Sequence, residues 1–261
     1  MLNTVESIAL MILIVTGSLG CLTLLRRVWP SQERRQHNDL IGWLLSVIGT
    51  TYAVIIAFML YAVWTNFEAA NGNAEAEADS LINVARLAQG LPAAQRLEIQ
   101  SLTRQYVDVM LTEEWPAMRD LRFSPASARI TEELWTAATH SDARTVSEQA
   151  DLEQTLTELS NMTGHRRLRS LQASTGIPAI LWAVLIVGAI ITIVSACLFG
   201  STNFKFHLAQ VVMLSLMLSL ILVAIADISR PFQGAIYVAP VGFERARTTL
   251  DNMGVAKQGK P

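Results

Sequence analysis

Charge is scarce in this sequence. Only 16% of its 261 residues are Asp, Glu, Lys or Arg, while 51% are hydrophobic. A water-soluble domain of this size carries roughly a quarter charged residues. The charges are also unevenly placed. Four stretches, at 7–25, 40–67, 170–204 and 206–226, have none. Each holds about 19 or more residues, the length that crosses a hydrocarbon core roughly 30 Å thick. The sequence therefore predicts four transmembrane spans, at 7–25, 41–67, 178–199 and 206–226. They should be helical, because backbone polar groups in lipid must be satisfied within the segment. The first run lacks the basic start of a cleaved leader, Glu6 being its only early charge, and Arg26 and Arg27 follow it. It is expected to stay as a span.

Other absences exclude function classes. The two cysteines, Cys21 and Cys197, are too few for a disulfide framework and have no metal-ligand spacing. The four histidines, His37, His140, His165 and His207, share no helical face. There is no Gly-rich phosphate loop, Cys-x-x-Cys, His-Glu-x-x-His or nucleophile elbow. An enzyme is not expected, nor a cofactor or metal. The net charge is −2 and no basic patch is interleaved with aromatics, so no nucleic-acid partner is expected. The span interiors contain no Asp, Glu, Lys or Arg. A proton-coupled carrier places such groups at depth. A channel does not need them, since small, hydroxyl and aromatic side chains can line a lumen with charge only at its mouths.

The remainder divides the chain into 1–67, a first pair of spans; 68–177, a polar helical domain outside the membrane; 178–226, a second pair; and 227–261, an elbow and tail. Period-2 alternation is absent and no repeat stands out, so the fold expected is an all-α membrane protein with a helical bundle inserted between spans two and three. Within the insert, Gly90-Leu91-Pro92 ends one helix and starts the next. Leu97, Leu102, Tyr106 and Val109 mark a face of that helix, and Trp115-Pro116 breaks it. Ser124-Pro125 starts another. Thr145-x-x-Glu148 reads as a capping box before a helix carrying Leu152, Leu156 and Leu159.

Span two carries the most informative pattern. Ser46, Thr50, Ala53, Ala57, Tyr61, Trp64 and Glu68 recur at helical spacing, and Gly72, Glu75 and Asp79 continue the row. The exit segment 66–80 holds four carboxylates, Glu68, Glu75, Glu77 and Asp79, with no Lys or Arg among them. Two readings fit. The stripe lines a pore whose acidic mouth concentrates cations, a charge multiplied in a ring of identical subunits. Alternatively the small residues pack helices closely in lipid and the acids are a solvated face. After span four, Asp227 and Arg230 lie three apart, Pro231 and Phe232 follow, and Gly234 permits a tight turn. That segment is either a plain helix stop or a structured elbow that senses ligand or gating. Orientation stays open. Arg26, Arg27, Arg34 and Arg35 between spans one and two are matched by Arg166, Arg167, Arg169, Arg230, Arg245 and Arg247 on the other side.

Three stretches carry a family resemblance: HNDLIGWLLSVIGTTYAVIIAFMLYAVW at 37–64, the acidic exit after it, and DISRPFQGAIYV at 227–238. With the insert they resemble the bacterial bestrophin-like domain family. The resemblance implies distant kinship with bestrophins, which are homopentameric anion channels lined by the second helix of each subunit. It thereby implies a homo-oligomer in a bacterial inner membrane, passing inorganic ions, with the insert in the cytoplasm. Two features depart from bestrophins. Gln233-Gly234-Ala235-Ile236 stands where a calcium clasp has a run of acids, and the acidic exit favours cations over anions. The leading expectation is a cation-preferring channel. Its rival is a non-conducting membrane sensor or scaffold whose helical domain binds a partner, and a lipid-active enzyme ranks last.

Overall fold

Helices form wherever the sequence is apolar and also where it is not. The computed structural model describes residues 4–140 and 142–258. Among the described residues eight long helices follow one another: α1 (Thr4–Val28), α2 (Asn38–Leu87), α3 (Ala93–Val109), α4 (Pro125–Thr139), α5 (Val146–Ser174), α6 (Ala179–Cys197), α7 (Phe204–Ile228) and α8 (Val241–Gln258). No strand occurs among the described residues. Among the described residues four helical stretches are long and apolar enough to cross a membrane: Val5–Val28, Ser31–Gly90, Ala179–Cys197 and Phe204–Ile228. The chain forms two compact units. One joins Met1–Thr65 to Gly176–Ser229, and the other joins Asn66–Thr175 to Arg230–Pro261.

In the first unit α1 packs on α7 and α6, and α6 packs on α7. Polar groups pin these apolar helices where backbone would otherwise lack partners. The buried Arg34 donates from Nη1 to the Cys197 carbonyl at 2.7 Å, capping the C-terminal end of α6. Asn38 and Gly200 exchange two hydrogen bonds, each 2.8 Å. A Cβ on Gly200 would fall 2.4 Å from the Arg35 nitrogen, so only glycine fits that approach. Tyr52 of α2 donates to the Leu185 carbonyl of α6 at 2.6 Å. Its ring lies over Gly188, where a Cβ would meet it at 2.4 Å. The buried hydroxyls Thr192, Ser215 and Ser219 donate to carbonyls of their own helices, which removes the cost of burying them.

The second unit is built around the C-terminal half of α2. Ala70, Ala74, Ala78, Leu81 and Ala85 form its buried ridge, and α3, α4, α5, the 230–238 segment and α8 contribute the rest of one hydrophobic core. Local signals set most boundaries. Pro92 caps α3, and Ser124 caps α4 by accepting from the Ala126 N–H at 3.2 Å. The Thr145–Glu148 box is formed in both directions, at 3.2 and 2.9 Å.

Two expectations are corrected. Trp115-Pro116 does not break the helix. The chain widens into a π-helical turn at Met110–Glu114, whose following Trp115 N–H reaches back five residues to the Met110 carbonyl, and then continues as a short helix, Trp115–Arg119. The register change absorbs the N–H that Pro116 lacks. Leu97 lies outside the core face of α3, which is made by Gln95, Ile99, Leu102, Thr103, Tyr106 and Val107. The step of five from Leu97 to Leu102 is off the helical repeat. The tail ends in a helix running Val241–Gln258.

Candidate functional site

The stripe on α2 is uncovered along nearly all of its length. In the first unit Ser46, Thr50, Ala53, Ala57, Tyr61 and Trp64 are all exposed, while Tyr52, Ile56 and Val63 are buried. In the second unit Glu68, Gly72 and Asp79 are exposed and Glu75 is partly covered. The buried residues of α2 fall between the stripe positions at the same helical repeat, so the helix has one packed face and one open face. Ser46 donates to the Gly42 carbonyl at 2.9 Å, leaving its oxygen lone pairs on the open side.

The four carboxylates of 66–80 have three different fates. Glu68 and Asp79 are exposed and enter no ion pair among the described residues. Glu75 is paired with Arg245 of α8. Glu77 is fully buried, because it points to the packed face between Ala74 and Ala78.

Glu77 belongs to a buried polar cluster that sequence reasoning missed. Arg169 of α5, also fully buried, donates from Nε to Glu77 Oε2 at 2.7 Å and from Nη2 to Oε1 at 3.2 Å. Its Nη1 reaches Glu114 Oε1 at 3.4 Å. Tyr106 donates its hydroxyl to Glu77 Oε1 at 2.6 Å. Glu114 Oε2 accepts from the Ser124 N–H at 2.7 Å and from Ser127 Oγ at 3.2 Å. Burial would lower the Arg169 pKa, but the charge of Glu77 and its hydrogen bonds hold it above the ordinary arginine range. Burial, reinforced by the Glu77 charge, pushes the Tyr106 phenol well above its usual value. A signal was present. Thr155, Leu159, Met162, Arg169 and Ala173 lie on one face of α5, so Arg169 occupies a core position on its own helix.

The 230–238 segment folds onto this cluster. Gly234 takes φ 90°, the left-handed conformation that the turn needs and glycine supplies. The Val238 N–H closes the turn onto the Pro231 carbonyl at 2.7 Å. Phe232 packs edge-on against Trp115 at 5.7 Å, and Trp115 Nε1 donates to the Val238 carbonyl at 2.9 Å. Gln233, also buried, donates to the Met118 carbonyl at 3.2 Å. Arg230 donates to Gln233 Oε1 at 3.4 Å. Trp115 and Met118 thus seat the segment; in the sequence Trp115 reads only as a helix breaker and Met118 carries no signal. Asp227 is half-buried at the end of α7 in the first unit. Among the described residues no three His, Cys, Asp or Glu side chains converge as metal ligands.

With this geometry in view, the pattern of the Bestrophin-like domain matches residues 12–243. The chain belongs to the Bestrophin-like domain family. Solved structures share the fold. A bacterial bestrophin homolog from Klebsiella pneumoniae superposes with a TM-score of 0.67 at 14% identity, over 94% of this chain and 97% of that one. A substituted form of that homolog gives 0.65 at 15% identity, over 95% and 99%. A structure described as a membrane protein gives 0.68 at 14% identity, over 95% and 98%. No curated protein matches the sequence. This Bestrophin-like chain therefore has a bestrophin-like all-helical fold, with four helices suited to a membrane.

Proposed function

We propose that this Bestrophin-like chain is a subunit of a homo-oligomeric ion channel of the bacterial cell membrane, with α2 lining the path and the mouth favouring cations. The observation that carries the reading is the open face of α2. Small, hydroxyl and aromatic residues, Ser46, Thr50, Ala53, Ala57, Tyr61 and Trp64, give way along one helix to Glu68, Glu75 and Asp79. In a ring of such helices the small and hydroxyl side chains line a lumen, and each carboxylate is multiplied around one axis. The elements at 68–177 then stand in water as an extramembrane bundle, beside the 227–261 elbow and tail. Asp227, Arg230, Pro231, Phe232 and Gly234 form the elbow, and its seat on Trp115 and Met118 would let it gate. The partners are the bilayer, further copies of the chain in a closed ring, and inorganic ions.

Neutralising the three mouth carboxylates together tests this. The variant Glu68→Gln, Glu75→Gln, Asp79→Asn in planar bilayers is expected to lose cation preference relative to wild type. Unchanged selectivity in that variant removes the three residues from the mechanism.

A further inference from the structure

Of the three carboxylates placed at the mouth, one does not stand alone. Glu75 is ion-paired with Arg245, and the two side chains remain 30% and 59% exposed. The arginine therefore reaches the same open face of the second unit as the acid it holds.

The approach of α8 is built to make this pair. Gly242, in the first turn of α8, lies against α2 so closely that a Cβ there would sit 3.2 Å from the Ala78 Cβ, 3.3 Å from the Glu75 Cα and 3.4 Å from the Glu75 carboxyl carbon. Glycine lets the backbone close in, and the Glu75 carboxylate comes to rest beside the N-terminal turn of an 18-residue helix. The dipole of that turn adds positive potential to the charge of Arg245, against which the same turn carries Glu244. Phe243 and Ala246, both fully buried, fix the rotation of α8. Arg247, two residues beyond Arg245, is engaged with Asp108 of α3 at 3.5 Å. Of Arg245 and Arg247, Arg245 is thus the one committed to the stripe.

We infer that Arg245 is a selectivity-determining residue: it cancels Glu75, so that cation preference is set by Glu68 and Asp79 and held below what three free carboxylates would give. This rests on the channel reading above. It makes a demand that a plain acidic mouth does not. Removing Arg245 must increase cation preference, removing Glu75 must expose a fixed positive charge, and removing both must return the mouth close to wild type.

The test is a double-mutant cycle on the purified full-length chain in planar bilayers under a KCl gradient, with insertion verified. Arg245→Gln is expected to move the reversal potential toward potassium equilibrium. Glu75→Gln should move it toward chloride equilibrium, and the double variant should lie near wild type. Arg245→Cys guards against variants that change the fold. After folding and reconstitution, a cationic thiol reagent on Arg245→Cys should restore the wild-type potential, and an anionic one should move it further toward potassium. Wild-type protein treated alike controls for Cys21 and Cys197. Conducting channels whose selectivity ignores charge at 245, or shifts oppositely, overturn the assignment of Arg245 and leave the channel reading standing. Wild-type protein that passes no current overturns the channel reading, and this inference with it.

Discussion

Arg169 holds the second unit together from inside, and its substitution should show it. It is fully buried between Glu77 and Glu114, with Tyr106 completing the shell. Removing one partner of a buried pair leaves an uncompensated charge and costs about 3–5 kcal/mol. Arg169→Met is therefore expected to lower thermal stability in detergent severely, and Glu77→Gln to a lesser degree because the amide still accepts a hydrogen bond. Tyr106→Phe should cost about 1.5–3 kcal/mol, the range for hydrogen bonds to charged groups. It should also change the alkaline limb. The folded Tyr106 pKa is raised, so its contribution is complete below the unfolded tyrosine value of about 10 and is lost as pH rises above it. Wild-type stability should fall faster than that of Tyr106→Phe above about pH 10. None of this cluster was legible as a site. Glu77 reads from the sequence as one acid among four, and only its place between Ala74 and Ala78 on the packed face separates it from its neighbours. In the first unit Gly188→Ala should clash with the Tyr52 ring and cost about 1–3 kcal/mol, read from the unfolding midpoint.

At the scale of elements, local chemistry was legible where one short motif decides the outcome. The Thr145–Glu148 box opens α5 as expected, and Thr145→Ala should destabilise the helix by about 1 kcal/mol, seen as faster amide exchange in its first turn. Backbone N–H groups of Thr145 and Arg144 hold the Glu148 carboxyl below the usual range. Its support is present above the ordinary glutamate pKa and fades as pH falls through the lowered one. Motifs failed where tertiary packing outweighed them. Trp115-Pro116 carries a breaker, yet burial of Trp115 against Phe232 and Phe243 keeps the chain helical through a π turn. Leu97 is apolar and exposed, a reminder that one leucine off the repeat does not mark a face.

For the whole molecule, the absence of charge was the most readable signal. Four charge-free stretches correspond to four helices suited to a membrane, and the Pro-Phe-Gln-Gly turn with span two pointed to the family that matches residues 12–243. What could not be read was which distant segments join one unit. That the 230–238 segment docks on Trp115 and Met118, and that α8 reaches Glu75, depends on contacts more than 100 residues apart in sequence. Periodicity describes a face but does not name what covers it.

Whether the open face of α2 conducts ions past an acidic mouth is read from the reversal potential of the purified wild-type protein in a planar bilayer under a KCl gradient. A value displaced toward potassium equilibrium is expected. A value at chloride equilibrium would contradict the acidic mouth while keeping a channel, and silence with insertion verified would contradict conduction itself and favour a membrane sensor or scaffold.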